Sequence, residues 1–296
     1  MARVSVIMSV YNEEKYICES IESILNQTFV DYEFIIIDDA STDSTVSLIE
    51  CYKDMRIKLI KNTKNRGLTK NLNAGLKIAK GQYIIRMDGD DVAYPNRIAE
   101  QVDFMDHHRE IKLASCGYRI IGSARKTVSC KVSCDEIRAM LIFNSVLPHP
   151  GFIFDRKAMN DVGIRYNERL KYAQDYDFQS RVVKIYDLAF MPQVLFDYRV
   201  SKKQISVAKF EQQQKCANYI RMKELQYLGI NKMPIRPEVW RAFSRSEDRV
   251  FSLEEKYKVF VMTMRITNLC KEKEMYNEKA VKEVCKKKLQ KFIKIM

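Results

Sequence analysis

Three aspartates, Asp88, Asp90 and Asp91, fall within four positions directly after the apolar run Tyr83-Ile84-Ile85. Carboxylates this close repel one another, and at least one pKa rises unless something cationic sits among them. A hard divalent cation with oxygen ligands is one answer, and a solvated acidic turn is the other. A second acidic pair, Asp38-Asp39, follows another wholly apolar stretch, Phe34 to Ile37.

The elements around these residues alternate. Arg3 to Val10 reads as a buried strand. In the segment Glu14 to Thr28, Ile17, Ile21, Ile24 and Leu25 share one helical face. Phe34 to Ile37 and Ile57 to Ile60 are two further strands, separated by a helix that Ser41, Thr42 or Ser44 caps. Thr69 to Ala79 is a helix stopped by Gly81, Tyr83 to Met87 a fourth strand, and Pro95 suits the first turn of the next helix. Continuous apolar strands joined by crossover helices imply an α/β fold, with a mostly parallel sheet covered on both faces. Ligands of such sheets bind at the carboxyl ends of the strands, where both acidic clusters fall. Beyond Leu113 the pattern predicts a strand over Ser115 to Ile121, a helix over Asp135 to Phe143, a strand over Gly151 to Phe154 and a helix over Asp175 to Tyr186. From about Ser206 the chain is helical and basic.

Composition excludes several classes. No glycine-rich dinucleotide fingerprint follows the first strand, and no Walker-type Gly-x-x-x-x-Gly-Lys occurs. The eight cysteines are scattered without zinc spacing and read as reduced, mostly buried thiols. No apolar run approaches the roughly 18–20 residues needed to cross a bilayer, and the first residues lack a signal-peptide segment, so the expected location is cytoplasmic. The net charge of +13 is uneven: residues 206–296 carry 21 Lys+Arg against 11 Asp+Glu. That asymmetry asks for a partner.

Seven segments, in order, resemble the inverting glycosyltransferases of family 2, which have a GT-A fold. They are "VSVIMSVYNEEKYICESIESILNQT", "IIIDDASTDST", "NRGLTKNLNAGLKIAKGQYI", "MDGDDVAYPNRI", "HPGFIFDR", "YAQDYDFQSRV" and "FDYRVSKKQIS". The resemblance covers about the first 200 residues. It implies a GT-A nucleotide-sugar-binding and catalytic domain over 1–205, followed by a helical basic region over 206–296.

The resemblance also distributes roles. Asp90 matches the main carboxylate for Mn²⁺ or Mg²⁺, with Asp88 binding the metal through water or facing the sugar. Asp91 holds the metal or a sugar hydroxyl, or else caps the helix before Pro95. Asp39 is favoured for the base and Asp38 for support, although either could cap the next helix. Ser9 and Tyr11 line the same rim, where the Tyr11 ring could stack on the base or simply pack. Arg66 and Arg199 could each reach phosphate; Arg66 could instead be solvated and Arg199 paired with an acid. Asp175 matches the general base that takes the acceptor hydroxyl's proton, while Asp177, two residues on, points elsewhere. Gln174 stands where the family often has Glu, which leaves the acceptor in doubt. His149 could donate to phosphate or acceptor, or hold a turn. Lys202 or Lys203 could meet phosphate in a closing loop in place of a histidine seen in many relatives.

In "KAVKEVCKKKLQKFIKIM", Val281, Val284, Cys285, Leu289, Phe292, Ile293 and Met296 recur near helical spacing among lysines. Such a basic amphipathic helix suits either an anionic membrane surface or packing on the core. No nucleic-acid motif accompanies the charge. The expected function is therefore transfer of a sugar, with inversion, from a nucleotide-diphospho-sugar, UDP-linked by preference. The expected acceptor is a lipid-linked saccharide on the inner face of a bacterial cell membrane, in O-antigen or capsule synthesis. Two alternatives remain: a nucleotidyltransferase that makes the activated sugar, and a silent GT-A-like binding protein.

Overall fold

The computed structural model describes residues 2–122, 125–200, 209–247 and 250–294. Its first half alternates strand and helix as the pattern predicts: β1 (Val4–Val10), α1 (Ile17–Leu25), β2 (Tyr32–Asp38), α2 (Thr45–Glu50), β3 (Ile57–Lys61), α3 (Leu68–Ile78) and β4 (Tyr83–Asp88). A short β5 (Val92–Ala93), α4 (Arg97–His107), β6 (Ile111–Gly122), β7 (Lys126–Val128) and α5 (Cys134–Leu141) come next. A 3-10 turn at His149–Gly151, β8 (Ile153–Asp155), α6 (Arg156–Asp161), α7 (Gln174–Val182) and β9 (Asp187–Val200) complete the sheet region. Four helices follow: α8 (Phe210–Tyr227), α9 (Pro237–Arg245), α10 (Leu253–Lys271) and α11 (Glu278–Lys294).

The strands form one nine-stranded sheet in the order β3-β2-β1-β4-β8-β6-β9-β5, with β7 on β6. The β3-β2-β1-β4 half is wholly parallel. β8 then runs antiparallel to both β4 and β6, and β6 pairs in parallel with β9. The uninterrupted apolar strands have a direct cause. Ile35 and Ile37 of β2 enter the core on one face while Phe34 and Ile36 enter the core on the other. Side chains alternate along a strand, so a sheet covered on both sides needs apolar residues at every position.

Three expectations change. Pro95 lies just outside α4, whose N-cap is Asn96, so Asp91 is not a helix cap. The 14-residue β9 has no counterpart in the sequence reading, because Asp187, Pro192, Gln193 and Asp197 interrupt its pattern. The cysteines are unpaired but not mostly buried: Cys116, Cys270 and Cys285 are, whereas Cys51 and Cys130 are exposed.

The junction near residue 205, with Lys202 and Lys203, lies outside the described residues. Beyond it, α8 to α11 share one apolar cluster with Ala139, Ile142 and Phe143 around α5. The apolar side of α11 is spent there: Val281, Val284, Cys285 and Phe292 are buried, and the Phe292 ring lies 4.2 Å from Phe251. Packing on the core is thus the reading that holds for this face of α11. Among the described residues no helix is long and apolar enough to cross a membrane.

Candidate active site

The strand register assembles the rim. β1 pairs with β2 and β4 so that Val10 stands opposite Asp38 and Ser9 opposite Asp88. Asp38 and Asp88 therefore end the two strands that flank β1, level with its last two residues, Val10 and Ser9. The chain leaves this rim through left-handed residues that are not glycine: Asn12 (φ 57°) after Tyr11, Ala40 (φ 62°) after Asp39, and Ala173 (φ 55°) before Gln174. Such conformations are costly and persist where the surroundings over-determine them, as at ligand sites.

The three aspartates converge. One carboxylate oxygen from each of Asp88, Asp90 and Asp91 lies within 4.8 Å of the others. Gly89 makes the turn possible, because a Cβ there would come 2.7 Å from Val10 Cγ1. Ser20 holds the turn from below, its hydroxyl 2.6 Å from the Asp91 carbonyl and 2.9 Å from that of Gly89. Both oxygens of Asp88 accept from the buried guanidinium of Arg86. Asp91 is fully buried; its Oδ1 accepts from the Arg199 amide at 2.9 Å, and its Oδ2 has no partner among the described residues. Burial, and then the charge of Asp88, push Asp90 up to about 7, and the same causes raise Asp91 well above the carboxylate range. A buried carboxyl oxygen with no donor among the described residues, in a cluster where burial and mutual repulsion disfavour the charged form, is the environment a hard divalent cation relieves. The residues present fit Mn²⁺ or Mg²⁺.

Arg199 takes the second of its two readings. Its Nη2 pairs with Glu19 at 2.6 Å, its Nε donates to the Asp90 carbonyl at 2.8 Å, and its guanidinium lies 4.2 Å from the Tyr16 ring centre. It ties β9 and α1 to the acidic turn.

Asp38 and Asp39 divide their work. Asp39 accepts from the amides of Arg66 and Gly67, both at 2.8 Å, and from Asn62 at 3.0 Å. Burial raises its pKa, but these hydrogen bonds outweigh burial and hold it below the usual value. Asn62 also donates to Asn71 at 2.8 Å, and Asn71 to Ser9 at 3.1 Å, so one polar chain runs along the rim. Asp39 thus fixes the loop, while the buried Oδ1 of Asp38 is unpartnered. Neither caps α2, whose N-cap is Ser44. Arg66 engages Asp39 through its backbone amide, and its side chain is exposed. Tyr11 is 46% exposed at the β1 end, free to face a ligand.

Asp175 sits in the first turn of α7, where the helix dipole favours a carboxylate. Its Oδ2 accepts from Ser145 at 3.2 Å, and Gln179 donates to the same Ser145 oxygen at 2.9 Å. Burial raises the Asp175 pKa, partly offset by the Tyr176 amide and the Ser145 hydroxyl. Asp177 does point elsewhere, to Arg181 at 2.8 Å. Gln174 is buried at the start of α7. His149 is also buried, its Nε2 2.9 Å from the Tyr166 hydroxyl and its ring edge-on to Phe152. Burial, and then the charge of Arg86, hold its pKa well below the usual value.

Sequence reasoning missed Arg86, Ser145, Asn71 and Tyr198. Arg86 had a signal, an arginine inside an apolar strand. Its charge pairs with Asp88 and also lowers the pKa values of Asp90, Asp91 and Asp175, against the larger effect of burial. The pKa of Tyr198 on β9 is raised by burial and then by the charges of Asp88, Asp91 and Asp90. Ser145 and Asn71 had no signal, because only folding brings them to the rim.

A mostly parallel sheet with a polar, acid-lined rim at its strand ends is the frame of a GT-A transferase. The sequence agrees: it matches the Glycosyl transferase family 2 model over residues 5–162, and the chain belongs to that family. An uncharacterized glycosyltransferase of Haemophilus influenzae is 34% identical over 272 residues, 86% of this chain and 82% of the relative. The Escherichia coli enzyme WfaP, a UDP-Glc:alpha-D-GlcNAc-diphosphoundecaprenol beta-1,3-glucosyltransferase, is 29% identical over 227 residues, 72% and 83% of the two chains. Among solved structures, Staphylococcus aureus TarS 1-349 with UDP-GlcNAc superposes at TM-score 0.64 with 19% identity, covering 100% of this chain and 90% of its own. The mannosyltransferase PcManGT of Pyrobaculum calidifontis, with GDP-Man and Mn²⁺, superposes at 0.61 with 17% identity, covering 97% and 87%. The protein is a glycosyltransferase with a nucleotide-sugar-binding fold.

Proposed function

We propose that the protein transfers a sugar, with inversion, from a UDP-sugar to a hydroxyl of a lipid-linked saccharide, with Asp175 as general base. The observation that carries this reading is the acidic turn itself, three carboxylates converging within 4.8 Å with a buried Asp91 oxygen that has no partner among the described residues; Asp175, buried at the start of α7, is the carboxylate that matches the base. The named activity of WfaP, with a UDP-linked donor and a diphosphoundecaprenol-linked acceptor, supports both substrate classes.

Ser9, Asp38 and the Tyr11 ring would face the nucleoside. Asp90 and Asp91 would hold the divalent cation, with Asp88 kept in place by Arg86. When bound, the cation neutralises charge on the leaving diphosphate. Asp175 takes the proton of the acceptor hydroxyl as that oxygen bonds to the anomeric carbon, and the carbon–oxygen bond to the diphosphate breaks on the opposite face. A base placed this way contributes typically 10²–10⁴-fold.

The deciding experiment is calorimetric titration of UDP with Mn²⁺ and with EDTA, on the wild type, Asp90→Ala and Asp175→Asn. Metal-dependent binding lost in Asp90→Ala and kept in Asp175→Asn, with transfer lost in both, supports the assignment. Equal binding without metal would make the acidic turn structural, and normal transfer by Asp175→Asn would remove it as the base.

A further inference from the structure

We propose that the outer face of α10 is a membrane-seating surface that lies on an anionic bilayer. Leu253, Tyr257, Phe260, Val261 and Met264 recur at i, i+4, i+7, i+8 and i+11, which is one stripe of a helix. Their exposures are 86%, 68%, 48%, 45% and 48%, and Val250, just before the helix, is 81% exposed. The opposite face of α10 is already used: Val259, Met262, Ile266 and Cys270 are buried in the helical core. A helix apolar on two sides has a second burial to make, and a contiguous exposed apolar strip marks a contact surface. The helix itself is firmly started by a capping box between Ser252 and Glu255.

Charge selects the occupant. Lys256 flanks the stripe on one side and Arg265 on the other, while Lys258 is paired with Glu254. Residues 206–296 carry a net +10. A basic rim around an apolar strip complements an anionic lipid surface. It opposes a second copy of this chain, since a two-fold contact through the stripe would bring like charges together. From Leu253 to Met264 the stripe runs about 17 Å, so the helix would lie in the interface rather than cross it.

The sequence leaves α11 open between a membrane surface and packing on the core; its apolar side is packed in the core, and the exposed apolar stripe is that of α10. The seat relates to the proposed function only through its use, which is to bring the site to a lipid-linked acceptor. Binding itself needs neither donor nor acceptor.

The test is co-sedimentation with vesicles of phosphatidylglycerol mixed with phosphatidylcholine, and with phosphatidylcholine alone. The full chain is compared with Leu253→Ser/Tyr257→Ser and with Lys256→Glu/Arg265→Glu, and UDP titration of each variant reports an intact fold. The wild type should bind the anionic vesicles, less so at high salt. Each variant should lose at least tenfold in vesicle binding while UDP binding is unchanged. Wild type that fails to bind the anionic vesicles, or Leu253→Ser/Tyr257→Ser that binds them as well as wild type, overturns the proposal. So does a wild-type dimer that becomes monomeric in that variant, since the stripe would then be a contact between copies. Vesicle binding lost with UDP binding intact separates this seat from the transferase reading; UDP binding lost in wild type would strike that reading and leave the seat standing.

Discussion

Arg86 and Asp88 stand two residues apart on β4, on one face of the strand, and form an ion pair under the acidic turn. The Arg86 side chain is 4% exposed and that of Asp88 27%. This pair occupies both oxygens of Asp88 with Arg86, while Asp90 and Asp91 make no side-chain ion pair among the described residues. Arg86→Met should therefore unsettle the turn and the fold together. Breaking a fully buried pair costs about 3–5 kcal/mol, and the partial exposure of Asp88 puts the expected loss near the bottom of that range. Urea denaturation measures it. Arg86→Met/Asp88→Asn should recover part of the loss, and strictly additive effects would mean the two side chains do not act as a pair.

Ser145 is expected to tune Asp175. The Ser145 hydroxyl donates to the carboxylate and so favours its charged form. A base works only when deprotonated, so the rate falls as pH drops through the Asp175 pKa, which burial has already raised. Ser145→Ala removes a stabilising donor and should move the acid limb of kcat/KM to higher pH. A pH–rate profile of the variant reads this directly; an unmoved limb would show that Asp175 does not set it.

Asp39 is a structural anion as much as a binding group. Asp39→Asn keeps one acceptor oxygen but puts an amide against the Arg66 and Gly67 N–H groups. The expected destabilisation is about 1–3 kcal/mol. Its pH dependence follows from the lowered folded pKa. The wild-type advantage is present above the unfolded value of about 3.9 and lost as pH falls through the lower folded value. Denaturation of both proteins near neutrality and in acid would show the gap closing; a constant gap would contradict the hydrogen-bonding account.

The apolar side of α11 should matter for folding rather than lipid binding. Phe292 packs against Phe251 and Phe243. Phe292→Ala should cost about 3 kcal/mol, in line with other large-to-small core changes. Thermal melting checks the loss, and vesicle binding of the folded fraction should be unchanged. A stable variant with weakened vesicle binding would return the membrane contact to α11.

Much of this protein was determined by its sequence alone. The alternation of apolar strands and amphipathic helices specified the parallel half of the sheet, because side-chain period is a local property that survives whatever the element packs on. Asp38, Asp39 and Asp88 to Asp91 were legible for the same reason: the ends of such strands form the ligand rim. What lay beyond local pattern needed the tertiary structure. β9 was hidden because its pairing with β6 comes from residues distant in the chain, and its polar positions break the apolar run. The division of labour at the rim was also decided by folding. Asp39 went to the loop amides, Arg199 to Glu19 and the turn, and His149 to a buried contact with Tyr166, since hydrogen-bond partners are assigned by proximity in space. The two C-terminal helices show the same limit. Both α10 and α11 have apolar residues to spare, and only the packing of the helical core decided which face stayed outside.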